Sequence, residues 1–163
     1  QYGEHYSVSQ TINENNYLEI DIIFLMDVLE HIEFDEIFLD ELFAKIPSGA
    51  RIVLSVPSLS LLMSSWDKTL GHFRRHDKKT IKLLFSKFDC EIEYITYGFS
   101  YLVIPTYIKR IIMSSSNSTN CEFPRVNSFT NSLLILLNKI EIMLHNYIPI
   151  PFGTSLFCVI KKH

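Results

Sequence analysis

Ile20-Asp21-Ile22-Ile23-Phe24-Leu25-Met26 and Arg51-Ile52-Val53-Leu54-Ser55-Val56-Pro57 are the stretches whose reading decides the fold. Each is a short, nearly unbroken apolar run rich in β-branched residues. Such runs suit strands covered on both faces, as in a parallel sheet. Between them Phe34, Ile37, Phe38, Leu42 and Ile46 recur at three- and four-residue spacing, which predicts a helix. Pro47-Ser48-Gly49 stops it. Strand, helix, tight turn and strand within about 40 residues make a βαβ unit with a right-handed crossover.

Working outward, residues 1–17 are polar and read as a loop with room for a short strand. Residues 58–77 form a long connection. A helix over 78–88 carries Ile81, Leu84, Phe85 and Phe88 on one face, and a strand follows over 91–97. The apolar segment 101–113 predicts a helix with Pro105 near its first turn. The serine/asparagine stretch 114–120 reads as a mobile loop. Leu133, Leu136, Leu137, Ile140 and Leu144 define another amphipathic helix, and residues 154–161 a terminal strand. The fold class is therefore α/β, one domain over 1–163, with helices inserted over 100–150 before the last strand. Gln1 is no initiator, so the sequence reads as starting inside a domain.

Composition narrows the function. The 47% hydrophobic fraction excludes a disordered chain. A net charge of −3 is no electrostatic footprint for nucleic acid. Cys90, Cys121 and Cys158 are far apart and odd in number, which argues for reduced thiols in a cytoplasmic protein. No apolar run is long and uncharged enough for a transmembrane helix. The apolar segments 98–113 and 129–150 suit the ordinary core packing of a helical cap, which could close over an acceptor site. They also suit peripheral contact with a membrane, where Lys109 and Arg110 would meet headgroups. An exposed sheet edge leads to the further expectation of a homodimer.

Two constellations carry chemistry. Asp27-Val28-Leu29-Glu30-His31 sits where the first strand ends, and ligands of open α/β sheets bind outside the carboxyl ends of strands. On a helix, residues 27, 30 and 31 share a face, so two carboxylates and an imidazole converge. The alternative is that Asp27 is an N-cap and Glu30 its capping-box partner. The second constellation, Trp66-Asp67-Lys68-Thr69-Leu70-Gly71-His72-Phe73-Arg74-Arg75-His76, follows the second strand at the same end of the sheet. Its guanidinium groups can grip carboxylate or phosphate. A hydrated surface loop is the plainer alternative.

Four blocks resemble a known family: DVLEHI at 27–32, PSGARIVLSVP at 47–57, SSWDKTLGHFRRH at 64–76 and PFGTSLFCVIKK at 151–162. In this order and spacing they are similar to the small class I S-adenosylmethionine-dependent methyltransferases of types 11 and 12. His76 stands where that family usually has tyrosine, and Ser48 replaces its first glycine. The resemblance implies a Rossmann-like sheet of seven strands whose last strand is antiparallel. This chain would supply the fourth to seventh, so the domain is N-terminally incomplete. None of the five glycines forms the family's cofactor turn.

The resemblance also implies roles. Met26, Asp27 and Val28 would face the methionine end of S-adenosylmethionine. His31 or His72 would act as general base on a hydroxyl acceptor, since imidazole titrates near ~6.5. Asp67, Arg74, Arg75 and His76 would bind the acceptor, a small molecule or a lipid- or sugar-linked metabolite, methylated at oxygen. Ubiquinone-pathway O-methyltransferases and small-RNA 2′-O-methyltransferases carry a similar E-x-x-E-H that binds a divalent metal. Asp27, Glu30 and His31 match it, and mixed carboxylate and imidazole donors suit several divalent ions. A degenerate, non-catalytic binding module is the competing reading.

Overall fold

A computed structural model describes residues 20–114 and 126–163. The loop expected over 1–17, most of the serine/asparagine stretch and Cys121 lie outside the described residues. Four strands form one sheet: β1 (Ile22–Met26), β2 (Arg51–Pro57), β3 (Cys90–Gly98) and β4 (Ser155–Lys162), in the order β1-β2-β4-β3. β1 and β2 are parallel, joined through helix α1 (Asp35–Lys45) as the expected βαβ unit. The last strand, β4, is inserted antiparallel between β2 and β3. The fold is Rossmann-like α/β.

Alternation places the core. Ile23, Ile52, Ile160 and Ile92 form one cross-strand row, and Leu25, Leu54, Cys158 and Ile95 the next. Leu39, Phe43 and Ile46 of α1 cover this face, with Ile81, Leu84 and Phe85 of α3 (Lys78–Phe85). The Phe43 and Phe88 rings stack at 4.7 Å. Lys162 Nζ donates to the carbonyls of Phe43 and Ile46 at 2.7 Å each, satisfying the last turn of α1.

The opposite face departs from expectation. Ile22, Phe24 and Met26 are 50%, 65% and 47% exposed, so β1 is covered on one side only. No helix among the described residues lies over that part of the sheet. The inward face of α1 also differs in part from the spacing of its apolar residues. Phe34 and Ile37 are exposed, whereas Phe38, Leu42 and Ile46 pack against the core as their spacing predicts, beside Asp35, Leu39 and Phe43. Arg74 Nη1 pairs with Asp35 Oδ2 at 2.7 Å, which draws the first turn of α1 inward along that stripe.

Between β2 and α3 the connection carries a short helix, α2 (Ser65–Thr69), that the sequence reading did not resolve. Ser64 and Asp67 form a capping box at its start. After β3 come α4 (Val103–Ser114) and α5 (Ser128–His145). Of the apolar set expected to pack α5 only Leu137 turns inward: Leu133, Leu136, Ile140 and Leu144 are exposed. The inward stripe is Leu134, Leu137, Asn138, Glu141 and His145. Buried Glu141 sets this rotation, accepting from the amides of Phe99 at 2.5 Å and Ser100 at 2.7 Å, and from the Ser100 hydroxyl. His145 Nδ1 meets Thr96 Oγ1 at 3.2 Å.

Candidate active site

The chain leaves β1 through a strained residue. Asp27 has φ 52°, a left-handed conformation uncommon outside glycine, though aspartate tolerates it best among charged residues. Its amide donates to the Ser55 carbonyl at 3.0 Å and to Ser55 Oγ at 3.1 Å, while Ser55 Oγ donates to Asp27 Oδ1 at 2.9 Å. The alternative reading of Asp27 as an N-cap does not hold: no side chain caps the following turn, a single 3-10 turn over Leu29–His31. Residues 27, 30 and 31 thus do not share an α-helical face.

That turn buries Glu30, only 1% exposed, and leaves its Oε2 without a hydrogen-bond partner. Burial raises the Glu30 carboxyl above its ordinary value, and the nearby Asp27 charge pushes the same way. The Glu30 carbonyl accepts from Phe73 N at 2.8 Å, tying the turn to the second constellation. Gly71, at φ 79°, lets the chain pass close to His31 before placing His72 beside it. The two imidazole rings meet edge to face at 4.7 Å. The carboxylate–imidazole turn and the arginine-bearing loop therefore meet at one rim of the sheet.

Asp67 is the hub beneath them. It is fully buried, and its Oδ1 accepts from Arg75 Nε at 2.8 Å and Nη2 at 2.6 Å. Oδ2 accepts from Arg110 Nη1 at 2.7 Å and from the Ser64 amide at 2.9 Å. Burial alone would raise its pKa, but the hydrogen bonds and charge of Arg75, then of Arg110, outweigh it and hold the carboxyl at about 2. The ionised carboxylate only accepts hydrogen bonds. The 3.3 Å contact from His72 Nδ1 to Asp67 Oδ1 therefore makes Nδ1 the donor, so that in the neutral imidazole the lone pair lies on Nε2.

A cavity of about 340 Å³ opens at this rim. Asp27, Glu30, His31, His72 and Arg75 line it, with Pro57, Thr106 of α4, and Thr154 and Ser155 at the start of β4. Among the described residues one cluster brings metal-capable atoms within 4.8 Å of each other: Glu30, His31 and His72. The donor set expected from sequence included Asp27 instead. Asp27 falls outside because its left-handed turn directs it to Ser55, and His72, distant in sequence, takes the third place.

Other expected site residues lie elsewhere. Met26 points to the open face of the sheet, and Val28 packs against the core. Arg74 turns from the cavity to Asp35 and the Glu33 carbonyl. His76 is buried near Asp35, its Nε2 3.9 Å away and without a hydrogen-bond partner, and burial lowers its pKa. Arg75 reaches the cavity with its donors already on Asp67 and the Ser58 carbonyl. Neither arginine presents an open fork to an anion, because buried acids claim both. Arg110, assigned to headgroups from sequence, instead completes the Asp67 hub. Ser64-x-x-Asp67 was a legible capping signal, but nothing in the sequence paired residue 67 with residue 110.

The fold and site define a Rossmann-like α/β chain with a carboxylate–imidazole cavity at its carboxyl rim. No protein-family model matches the chain, and no curated protein matches it. Among solved structures it is similar to a SAM-dependent methyltransferase from Archaeoglobus fulgidus, at 14% identity and TM-score 0.43, over 97% of this chain and 68% of that one. It is similar to a protein of Bacillus halodurans C-125 provisionally described as a methyltransferase, at 13% identity and TM-score 0.47, over 87% and 64%. It is also similar to phosphoethanolamine N-methyltransferase 2 of Haemonchus contortus, determined with S-adenosyl-L-methionine, at 13% identity and TM-score 0.41, over 87% and 33%. The chain thus spans about two thirds of the first two and a third of the last.

Proposed function

We propose that this chain forms the acceptor side of an S-adenosylmethionine-dependent O-methyltransferase, with a divalent cation held by Glu30, His31 and His72. The observation that carries the reading is the buried, unpartnered Glu30 Oε2 beside two imidazoles in a cavity at the carboxyl rim. A carboxylate oxygen so placed lacks compensation in the protein itself, and a cation supplies it. The donor chemistry fits: one carboxylate and two imidazoles suit several divalent ions. Asp67 accepts from His72 Nδ1 and so orients its ring, as a carboxylate behind a metal-bound histidine does. When bound, the cation lowers the pKa of an acceptor hydroxyl toward neutrality, and S-adenosylmethionine supplies an electrophilic methyl group.

The chain's own residues do the positioning. Asp27, clamped by Ser55, offers a carboxylate at the strand end suited to the cofactor's ammonium group. Thr106, Thr154 and Ser155 also line the cavity, with short hydroxyls that can orient an oxygen acceptor. Direct methyl displacement asks chiefly for alignment, so a rigid wall is the main contribution. Where no cation is present, His72 Nε2 is the lone pair aimed to take the acceptor's proton.

Calorimetric titration with manganese, then with S-adenosylhomocysteine, tests the two halves. Manganese heat is expected in the native chain and lost in Glu30→Gln. Because none of the chain's glycines forms the family's cofactor turn, S-adenosylhomocysteine heat is expected to be weak in the native chain and weaker still in Asp27→Asn. Unchanged metal binding in Glu30→Gln overturns the cation site, and S-adenosylhomocysteine heat equal in Asp27→Asn and the native chain overturns the role given to Asp27.

A further inference from the structure

Helices α4 and α5 face the wrong way for a water-exposed surface. On α4, Thr106 turns to the cavity and Arg110 to Asp67. The outward stripe is Ile104, Tyr107, Ile108 and Ile111, exposed at 70%, 40%, 50% and 56% and spaced i, i+3, i+4, i+7. On α5, Glu141 and His145 turn inward, while Phe129, Leu133, Leu136, Ile140 and Met143 are exposed. Both helices turn polar groups inward, Thr106 and Arg110 on α4 and Glu141 and His145 on α5, and carry large apolar side chains outside. Exposed apolar area on this scale marks an interaction surface.

Charge says which kind. The only acid on either helix is Glu141, and it is buried. The exposed charged side chains of α4 and α5 are Lys109 and Lys139. This cationic bias is local, since the chain as a whole carries −3. Tyr107, exposed within the α4 stripe, and Tyr147, exposed just past the end of α5, have the amphipathic rings that settle at a headgroup layer. Two identical copies meeting here would bring lysines together with no exposed acid on either helix to receive them. No helix among the described residues is long and apolar enough to cross a membrane.

We propose that the outward apolar stripes of α4 and α5 bind an anionic lipid bilayer, lying in its interface without crossing it. An apolar stripe flanked by lysines is the pattern of interfacial helices. α4 then serves both surfaces, walling the cavity with Thr106 and resting its isoleucines in the acyl boundary. The inference stands apart from methyl transfer, because vesicle binding requires neither cofactor nor cation.

Flotation of the full chain with vesicles tests it, since aggregates sink while bound protein rises. The chain should rise with vesicles of phosphatidylcholine and phosphatidylglycerol, less with phosphatidylcholine alone, and less again in high salt. Ile108→Asn should lower the partition roughly tenfold, in line with one buried isoleucine. Lys109→Gln and Lys139→Gln should each lower it about fivefold on anionic vesicles only. These side chains already face solvent, so unchanged circular dichroism should accompany each variant. A native chain that stays at the bottom with both vesicles overturns the proposal, as does Ile108→Asn rising like the native chain. Light scattering that shows a dimer dissolved by Ile108→Asn, with no flotation, would assign the face to a second copy and also overturn it.

Discussion

Asp67 Oδ2 accepts from Arg110 Nη1 at 2.7 Å, joining α2 to α4 across 43 positions of sequence. The same carboxylate holds Arg75 and orients His72. One buried acid thereby fixes the imidazole, the guanidinium and the helix that walls the cavity.

Removing that acid should be among the most damaging single changes in the chain. Asp67→Ala leaves Arg75 buried without its partner, and breaking a buried pair in this way costs about 3–5 kcal/mol. Arg110→Met keeps the Asp67–Arg75 pair and should cost less, about 1.5–3 kcal/mol for a lost charged hydrogen bond. Urea denaturation of the two variants against the native chain measures the difference. Equal costs would show that Arg110 and Arg75 are not hierarchical partners of Asp67.

Acid should dissolve the hub. The Asp67 carboxyl titrates at about 2 in the folded chain against an ordinary 3.8, so its folded pKa is depressed. Its contribution is complete above the unfolded pKa and is lost as pH falls through the folded one. Between about pH 4 and pH 2 the native chain should lose roughly 2 kcal/mol that Asp67→Asn does not lose. Stability measured across that window in both proteins checks the sign. A variant as acid-sensitive as the native chain would place the titration elsewhere.

Glu30→Gln should separate function from stability. The native carboxyl is buried with one oxygen unpaired, and a neutral amide is less costly to bury. The variant should match or exceed the native melting temperature while losing divalent-metal uptake. Functional sites often carry such destabilised groups. A large drop in melting temperature would mean that Glu30 is a structural acid.

Gly153→Ala tests the packing that places Thr154 and Ser155 at the cavity. A methyl group at Gly153 would lie 2.2 Å from the Gly98 carbonyl oxygen, on backbone that cannot swing aside. Overpacking of this kind costs about 1–3 kcal/mol. Thermal denaturation should show the loss, and metal uptake should be less affected than stability.

The local pattern of residues sufficed for much of this molecule. Alternating and unbroken apolar runs determined β1, β2 and the terminal strand, and Pro47-Ser48-Gly49 determined the turn that closes the βαβ unit. The composition of residues 27–31 and 64–76 marked both walls of the cavity, because ionisable side chains are dense there. Tertiary structure decided the rest. Which face of α1 and α5 turns inward depended on Asp35 meeting Arg74 and Glu141 meeting the Phe99 and Ser100 amides, pairings between residues 39 and about 41 positions apart. The third member of the metal-capable cluster proved to be His72 rather than Asp27, since a left-handed backbone turn aimed Asp27 at Ser55. Buried charges choose their partners by proximity in space, and the spacing of residues along a chain carries no record of that choice.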